Sequence, residues 1–196
     1  MTVQLLTAND EKSARILNAA LSVFALYGYR RASMEDIAKA AGMSRAALYQ
    51  HFRNKEDILV HGVEAYFTTA IASLKEALRP GRPLPEALRL ACAAGTGELA
   101  QALLDSPHGE ELLSMKTGDA EEETRRGNER IAAIWVTWLE AEATAGRIHL
   151  PGDDAARVAE AIIAGQHGLK VTAKDYSDYV ARLEIFADLM ARGLTP

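Results

Sequence analysis

The sequence predicts an all-α fold of about nine helices, and three observations carry that prediction. Apolar residues recur at spacings of three and four, and no strict alternation of apolar and polar residues survives for five positions. Ala, Leu, Glu and Arg dominate while β-branched residues are few and scattered, which is the composition of a helix former. Cap residues, glycines and prolines punctuate the periodic segments at helix-like intervals. With 48% apolar and 25% charged residues in a chain of 196, the composition is that of a globular protein. It excludes disordered, collagen-like and disulfide-framework classes. The single Cys92 staples nothing within one chain, so a reducing cytoplasm is the expected compartment. No apolar run approaches the roughly 18 residues of a membrane span, and the N-terminus lacks the basic and apolar regions of a secretory signal.

The first helix is expected to start near Asn9 or Asp10, either of which can cap it, and to bury Ile16, Ala20, Val23, Phe24 and Tyr27 before Gly28 ends it. Ser33 has N-cap chemistry, and Asp36 three residues on can return a bond in the manner of a capping box. The helix from Met34 to Ala41 is short, and Gly42 offers an inexpensive left-handed stop. Ser44 caps the next helix, which runs to about Phe52, with Met43 placed to staple onto Leu48. Two short helices joined by a turn of about three residues form a helix-turn-helix, in which small Ala38 lets the second helix cross close over the first. Asn54, with Asp57 three residues on, opens a long helix from Lys55 to about Leu78. A connector holding Pro80, Gly81, Pro83 and Pro85 follows. Helices are then expected at about 85–104, 107–116, 119–146, 153–174 and 176–193, with Pro107, Gly118, Gly146, Pro151 and Asp175 as breaks.

The formal net charge of -5 argues at first against a nucleic-acid partner, since affinity for DNA comes largely from neutralising phosphates. The total conceals a division. Residues 1–60 hold eight Lys/Arg against six Asp/Glu, a net of +2, and the remaining residues hold 14 against 21, a net of -7. A modestly basic N-terminal third therefore precedes an acidic body.

Residues 12–59 resemble the DNA-binding domain of the TetR family of transcriptional regulators. The resemblance rests on a helix ending in Tyr27-Gly28, on the run Ser33-Met34-x-x-Ile37-Ala38-x-x-Ala41-Gly42-Met43-Ser44, on Leu48-Tyr49-x-His51-Phe52, and on Lys55-Glu56 before an apolar helix. The sequence departs from the family at Ala46-Ala47, where members often carry Gly-Thr or Gly-Ala. The resemblance implies an N-terminal helix-turn-helix DNA-binding domain over residues 1–54 and a helical effector-binding and dimerisation domain over residues 55–196. It further implies a non-enzymatic, homodimeric repressor released from a near-palindromic double-stranded DNA operator by a small-molecule effector. An activator, a ligand-independent regulator, or a helical small-molecule binding protein or enzyme with a degenerate helix-turn-helix are the alternatives.

The second helix of a helix-turn-helix enters the major groove with its N-terminal residues at the base edges. The expected operator-contacting set is Ser33, Met34, Ser44, Arg45, Ala46, Tyr49, Gln50, His51 and Lys55. Arg45 suits bidentate pairing with guanine, Gln50 with adenine, and the methyl of Ala46 a thymine methyl. Ser33, Tyr49, His51 and Lys55 match family positions that contact the phosphate backbone. Lys55 lies in the first turn of its helix, where a cation is opposed by the helix dipole by up to about 1 kcal/mol, and a DNA phosphate is the expected compensating anion. Tyr49 also suits helix packing, His51 a plain surface or core position, and Arg45 and Gln50 a solvated face.

Residues 79–196 contain no HExxH, CxxC, GxSxG or glycine-rich phosphate loop, and the five histidines are not spaced as ligands on one helix face, so neither a catalytic site nor a metal or other cofactor is expected. The apolar stripe Ile131, Ile134, Trp135, Trp138 and Leu139 reads as core or as a pocket wall. The resemblance makes Tyr66, Phe67, Met115, Trp138, Gln166 and His167 the candidate lining of an effector pocket. The last two helices carry more than one apolar stripe: Val158, Ile162, Gly165 and Leu169, then Ala159, Ile163 and Gln166, then Tyr179, Leu183, Phe186 and Met190, with Ile185 and Leu189 beside these. A terminal pair with two apolar faces must bury one elsewhere. A four-helix bundle with a symmetry mate through Ile162, Ile163, Gln166, Leu183, Phe186 and Met190 is what the resemblance implies.

Overall fold

A computed structural model describes residues 11–109, 112 and 118–196. Among these residues the regular structure is helical throughout: α1 (Glu11–Tyr27), α2 (Met34–Ala40), α3 (Arg45–Tyr49), α4 (Lys55–Ala77), α5 (Leu84–Ala93), α6 (Glu98–Leu104), α7 (Gly118–Thr144), a 3-10 turn at Pro151–Asp153, α8 (Ala155–Thr172) and α9 (Tyr176–Leu194). The expected start of the first helix at Asn9 or Asp10 and most of the expected 107–116 helix lie outside the described residues. The single helix expected over 85–104 is two helices. The chain leaves α5 after Ala93 and passes through Gly97 at a φ of 122°, a conformation that interrupts a helix and that only glycine adopts at low cost. The described residues fall into two compact units, one drawn from Met1–Thr69 and Glu98–Gly127, the other from Ala70–Gly97 and Asn128–Pro196.

In the first unit α1 buries Ile16, Leu17, Ala20, Val23 and Phe24 along one face. Tyr27, expected to extend that stripe, is instead half-exposed, and the buried face of α1 ends at Phe24, whose ring meets that of Tyr29 edge to face with centroids 5.2 Å apart. The core continues through Ile37 and Ala38 of α2, Leu48 of α3, Phe52 and Ile58. Complete burial of Ile16, Ile37, Leu48 and Ile58 contributes roughly 1.5–3 kcal/mol for each side chain. Gly127 of α7 lies so close to Phe67 of α4 that any side chain there would collide with the ring. The Ser106 hydroxyl, just beyond α6, donates to the Ala25 carbonyl of α1.

The second unit is built on α9 packed along α5. Leu74, Leu88, Trp135, Leu139, Ile162, Tyr179 and Leu183 fill its interior. Asp154 and Asp175 cap α8 and α9 by accepting from the N–H groups of Arg157 and Asp178. Gly165 admits the Phe186 ring, whose Cζ would stand 2.6 Å from a Cβ at that position. Buried Glu142 is satisfied by a two-pronged pair with Arg147 at 2.7 and 2.9 Å. No helix is long and apolar enough to cross a membrane, and no cluster of metal-ligating side chains occurs, among the described residues.

Candidate nucleic-acid interface

Two short helices hold their orientation only if their ends are well specified, and here each end has its own chemistry. The Asp36 N–H donates to Ser33 Oγ at 3.2 Å while Ser33 donates its N–H to the Asp36 carboxylate at 3.0 Å, completing the capping box at the start of α2. The side-chain and backbone bonds from Ser33 hold the Asp36 carboxyl below the usual carboxylate range. At the other end Met43 N–H donates to Ala38 O and Gly42 N–H to Lys39 O, the two crossed bonds of a Schellman motif, with Gly42 at a φ of 65°. Ser44 Oγ then accepts from the Ala47 N–H at 3.1 Å and starts α3. Half-buried Met43 packs on the core that holds Leu48, as a staple requires.

That framework fixes which side of α3 is free. Leu48 is fully buried, whereas Arg45, Ala46, Tyr49, Gln50 and His51 are exposed. The Arg45 guanidinium lies over the Tyr49 ring, 5.5 Å from its centroid, and donates toward the Tyr49 hydroxyl at 3.4 Å. Its other terminal nitrogen stands 3.9 Å from the Glu35 carboxylate on α2. Arg53 pairs with Asp57, donating from its backbone at 2.9 Å and from its side chain at 3.1 Å. Burial opposes ionisation of Asp57, but the hydrogen bonds from Arg53 outweigh it and lower the carboxyl's pKa. Arg30, Arg31 and Lys39 are exposed as well.

Two members of the expected set are placed differently. Met34 is only 8% exposed and belongs to the hydrophobic core, so what it can offer at the surface is backbone at the first turn of α2. Lys55 has an intramolecular answer to its dipole problem. Its ammonium donates to the carbonyls of Tyr29 at 2.8 Å, Arg30 at 3.1 Å and Ala32 at 3.1 Å, and it stands 4.7 Å from the centroid of the Tyr29 ring. Three carbonyl dipoles and an aromatic face thus supply the negative potential for which a phosphate was expected. Sequence reasoning also missed Glu35 and Tyr29, whose partners are 10 and 26 residues away and leave no local signal.

The candidate effector-pocket residues divide between the units. Tyr66 and Phe67, in the first, meet edge to face at 5.2 Å, Phe67 buried and Tyr66 half-buried. In the second, Trp138 is buried against Trp135 at 5.9 Å, Gln166 hydrogen-bonds the Cys92 thiol, and His167 is exposed. Met115 lies outside the described residues. An open cleft of about 210 Å³ in the first unit is lined by Leu26, Tyr27, Arg31, Asp36 and His108, none of them expected there. Of the expected dimer residues, Ile162 and Leu183 are each 4% exposed and serve the protomer's own core, while Ile163, Gln166, Phe186 and Met190 are half-buried. The large apolar side chains left outward on α8 and α9 are Val171, Ile185 and Leu189.

Residues 16–61 match the family described as bacterial regulatory proteins, tetR family. Over 85 residues the chain is 34% identical to the HTH-type transcriptional activator FasR of Mycolicibacterium smegmatis, covering 43% of this chain and 39% of that protein. Over 79 residues it is 33% identical to the fatty acid metabolism regulator protein of Bacillus subtilis, covering 40% of this chain and 41% of that one. The matches thus span about two fifths of the length of these relatives. The likeness of fold extends much further. The fatty acid degradation regulator FadR from Bacillus halodurans superposes with a TM-score of 0.74 at 18% identity, over 95% of this chain and 98% of its own. FadR from Bacillus subtilis, in complex with stearoyl-CoA, superposes with a TM-score of 0.74 at 21% identity, over 91% and 97%. A matching helix-turn-helix sequence and a whole-chain likeness of fold agree: residues 16–61 carry the helix-turn-helix segment of the tetR family, and the chain as a whole has the fold of these regulators.

Proposed function

We propose that the protein is a homodimeric, DNA-binding transcriptional regulator that works in the cytoplasm as a repressor and leaves its operator when a small molecule binds. The observation that carries this reading is the free face of α3 and of the turn that follows it, where Arg45, Ala46 and Tyr49, then Gln50 and His51, project from a helix capped at both ends. Arg45 and Gln50 supply bidentate donors for guanine and adenine, Ala46 a methyl contact for thymine, and Ser33, Ser44, Tyr49 and His51 short polar groups for phosphate. Two such helices, one from each protomer, occupy successive major grooves about 34 Å apart on a near-palindromic site. Residues 1–54 carry the reading function, and residues 55–196 carry effector binding and dimerisation.

The effector is a long-chain acyl-CoA. Support comes from relatives named for fatty acid metabolism and from a structural neighbour solved with stearoyl-CoA. Acyl-CoA must bind the DNA-competent and DNA-incompetent states with different affinity, and a difference of about 1–3 kcal/mol is the usual scale of such coupling. The test is selection of bound genomic fragments with the purified chain, followed by fluorescence anisotropy on the strongest fragment with and without stearoyl-CoA. The reading expects a palindromic enriched site and an affinity at least fivefold weaker with ligand. Enrichment of no sequence would sink the regulator, and an unchanged affinity would sink the effector. Activation is a second reading, favoured by the relative named as an activator, and the position of the selected site relative to the promoter separates the two.

A further inference from the structure

Glu35 is a carboxylate in the first turn of α2, exposed over 77% of its side chain, on the surface that presents the recognition helix. Facing a phosphate backbone, such a charge is unfavourable unless it meets a hydrogen-bond donor. Its nearest cation is Arg45, whose terminal nitrogen lies 3.9 Å from the Glu35 oxygen, too long for a hydrogen bond but close enough that both groups reach the same place. The donors of Arg45 are far from exhausted. One is directed at the Tyr49 hydroxyl, the cation is steadied over the Tyr49 ring, and the nitrogen facing Glu35 makes an ion-pair contact without a hydrogen bond, which leaves the fork able to donate outward. The pair therefore presents a fork of donors beside a pure acceptor, both standing on capped helices.

That arrangement has one complement among the four base pairs. In the major groove, guanine offers two acceptors, O6 and N7, and the cytosine beside it offers the N4 donor. At an A·T pair in the same orientation adenine presents a donor where Arg45 needs an acceptor, and thymine O4 faces the carboxylate with an acceptor of its own. We infer that Glu35 is a specificity-determining residue that acts with Arg45 on a single G·C pair, Arg45 donating to guanine and Glu35 accepting from cytosine N4. The inference rests on the proposed DNA-binding function and deepens it.

The experiment uses the full chain, with bound duplexes selected from a random pool by wild type, Glu35→Ala and Arg45→Ala. Binding is then measured on the wild-type site and on the same site carrying N4-methylcytosine, which lacks the free N4 donor, at each enriched C. At one such position the wild type should lose on the order of tenfold in affinity on methylation, and Glu35→Ala should be indifferent to it. Glu35→Ala should also discriminate less between G·C and A·T at that pair, while Arg45→Ala should lose the preference for G there. A Glu35 that only cancels the charge of Arg45 gives another pattern, in which Glu35→Ala binds every sequence more tightly by one factor with the preference unchanged. That result, or equal sensitivity of both proteins to methylation, overturns the inference and leaves the regulator standing. If the wild type enriches no sequence, the regulator reading itself fails. Glu35 is exposed and outside the core, so thermal melting of the variant should match wild type and confirm that the comparison is between folded proteins.

Discussion

Lys55 shows how a residue's surroundings decide its work. Its three donors converge on the carbonyls of Tyr29, Arg30 and Ala32, so the ammonium pins the start of α4 to the turn that carries Arg30 and Arg31 toward Ser33. Lys55→Met keeps the length of the side chain and removes the charge-assisted bonds, and it should destabilise the fold by roughly 1–3 kcal/mol in urea unfolding. If the turn is what Lys55 serves, operator affinity falls while the salt dependence of binding keeps its slope. A slope shallower by about 1 would return Lys55 to a phosphate. Cys92 is a second case. Burial pushes its thiol up to about 11, against a hydrogen bond from Gln166 that acts the other way. The folded thiol keeps its proton up to that pH whereas the unfolded chain releases it near 9, so between the two the unfolded state binds fewer protons and stability falls as pH rises. Up to about 3 kcal/mol should be lost across that window, read as urea midpoints at pH 8 and 11 against Cys92→Ala, which lacks this component. A midpoint difference that does not change with pH would contradict the burial argument. The position of Lys55 in the first turn of a helix was legible in the sequence, but its partners were not, because nothing local marks a carbonyl 26 residues away.

At the scale of elements, what the sequence shows is what local chemistry decides. The Ser33 box, the Gly42 stop and the Ser44 cap were all readable, since each depends on residues within five positions of one another. The break between α5 and α6 was not, because Ala-rich and Leu-rich helix-forming segments on both sides of Gly95 and Gly97 continue one another's pattern. Which polar residues of α3 and α4 are free, and that Met34 is core, follow from the packing of α1, α2 and α3 and have no signature in spacing alone. The Schellman motif offers a clean test of the turn. A Cβ at Gly42 would meet nothing within 4 Å, so Gly42→Ala isolates the cost of a φ of 65° from any clash. That cost is about 1–2 kcal/mol, expected as a fall of several degrees in melting temperature. Operator affinity should fall with it, because α3 loses its fixed angle to α2. An unchanged melting temperature would show that the turn relaxes freely and does not set the angle.

At the scale of the whole molecule the question is what covers the outer face of α8 and α9. Periodicity assigned several apolar stripes to these helices but carried no information on which faced inward, since a stripe looks the same whichever way it points. Packing of α9 against α5 settles that for the protomer: Tyr179, Leu183 and Ala187 are inside, and Ile185 and Leu189, each 62% exposed, are outside with Val171. Ile185 and Leu189 stand one helical turn apart, and a two-fold axis beside them would bring each face onto its copy, the arrangement a closed dimer requires. Replacing both with Glu should leave the protomer folded, because neither side chain contributes to its core, and should place like charges face to face across the axis. Sedimentation equilibrium should then report a monomer at micromolar concentration. A reading head with a net charge of only +2 has little bulk attraction for DNA, so in the proposed dimer the affinity for a full palindrome should depend on linking two half-sites. The double variant should therefore lose 10²-fold or more on the full palindrome, on the order expected when linkage is lost, while its affinity for an isolated half-site stays near that of wild type. A variant that remains dimeric would move the interface elsewhere. A monomer that kept full operator affinity would mean that each reading head binds alone, and that the near-palindromic site has no counterpart in the symmetry of the protein.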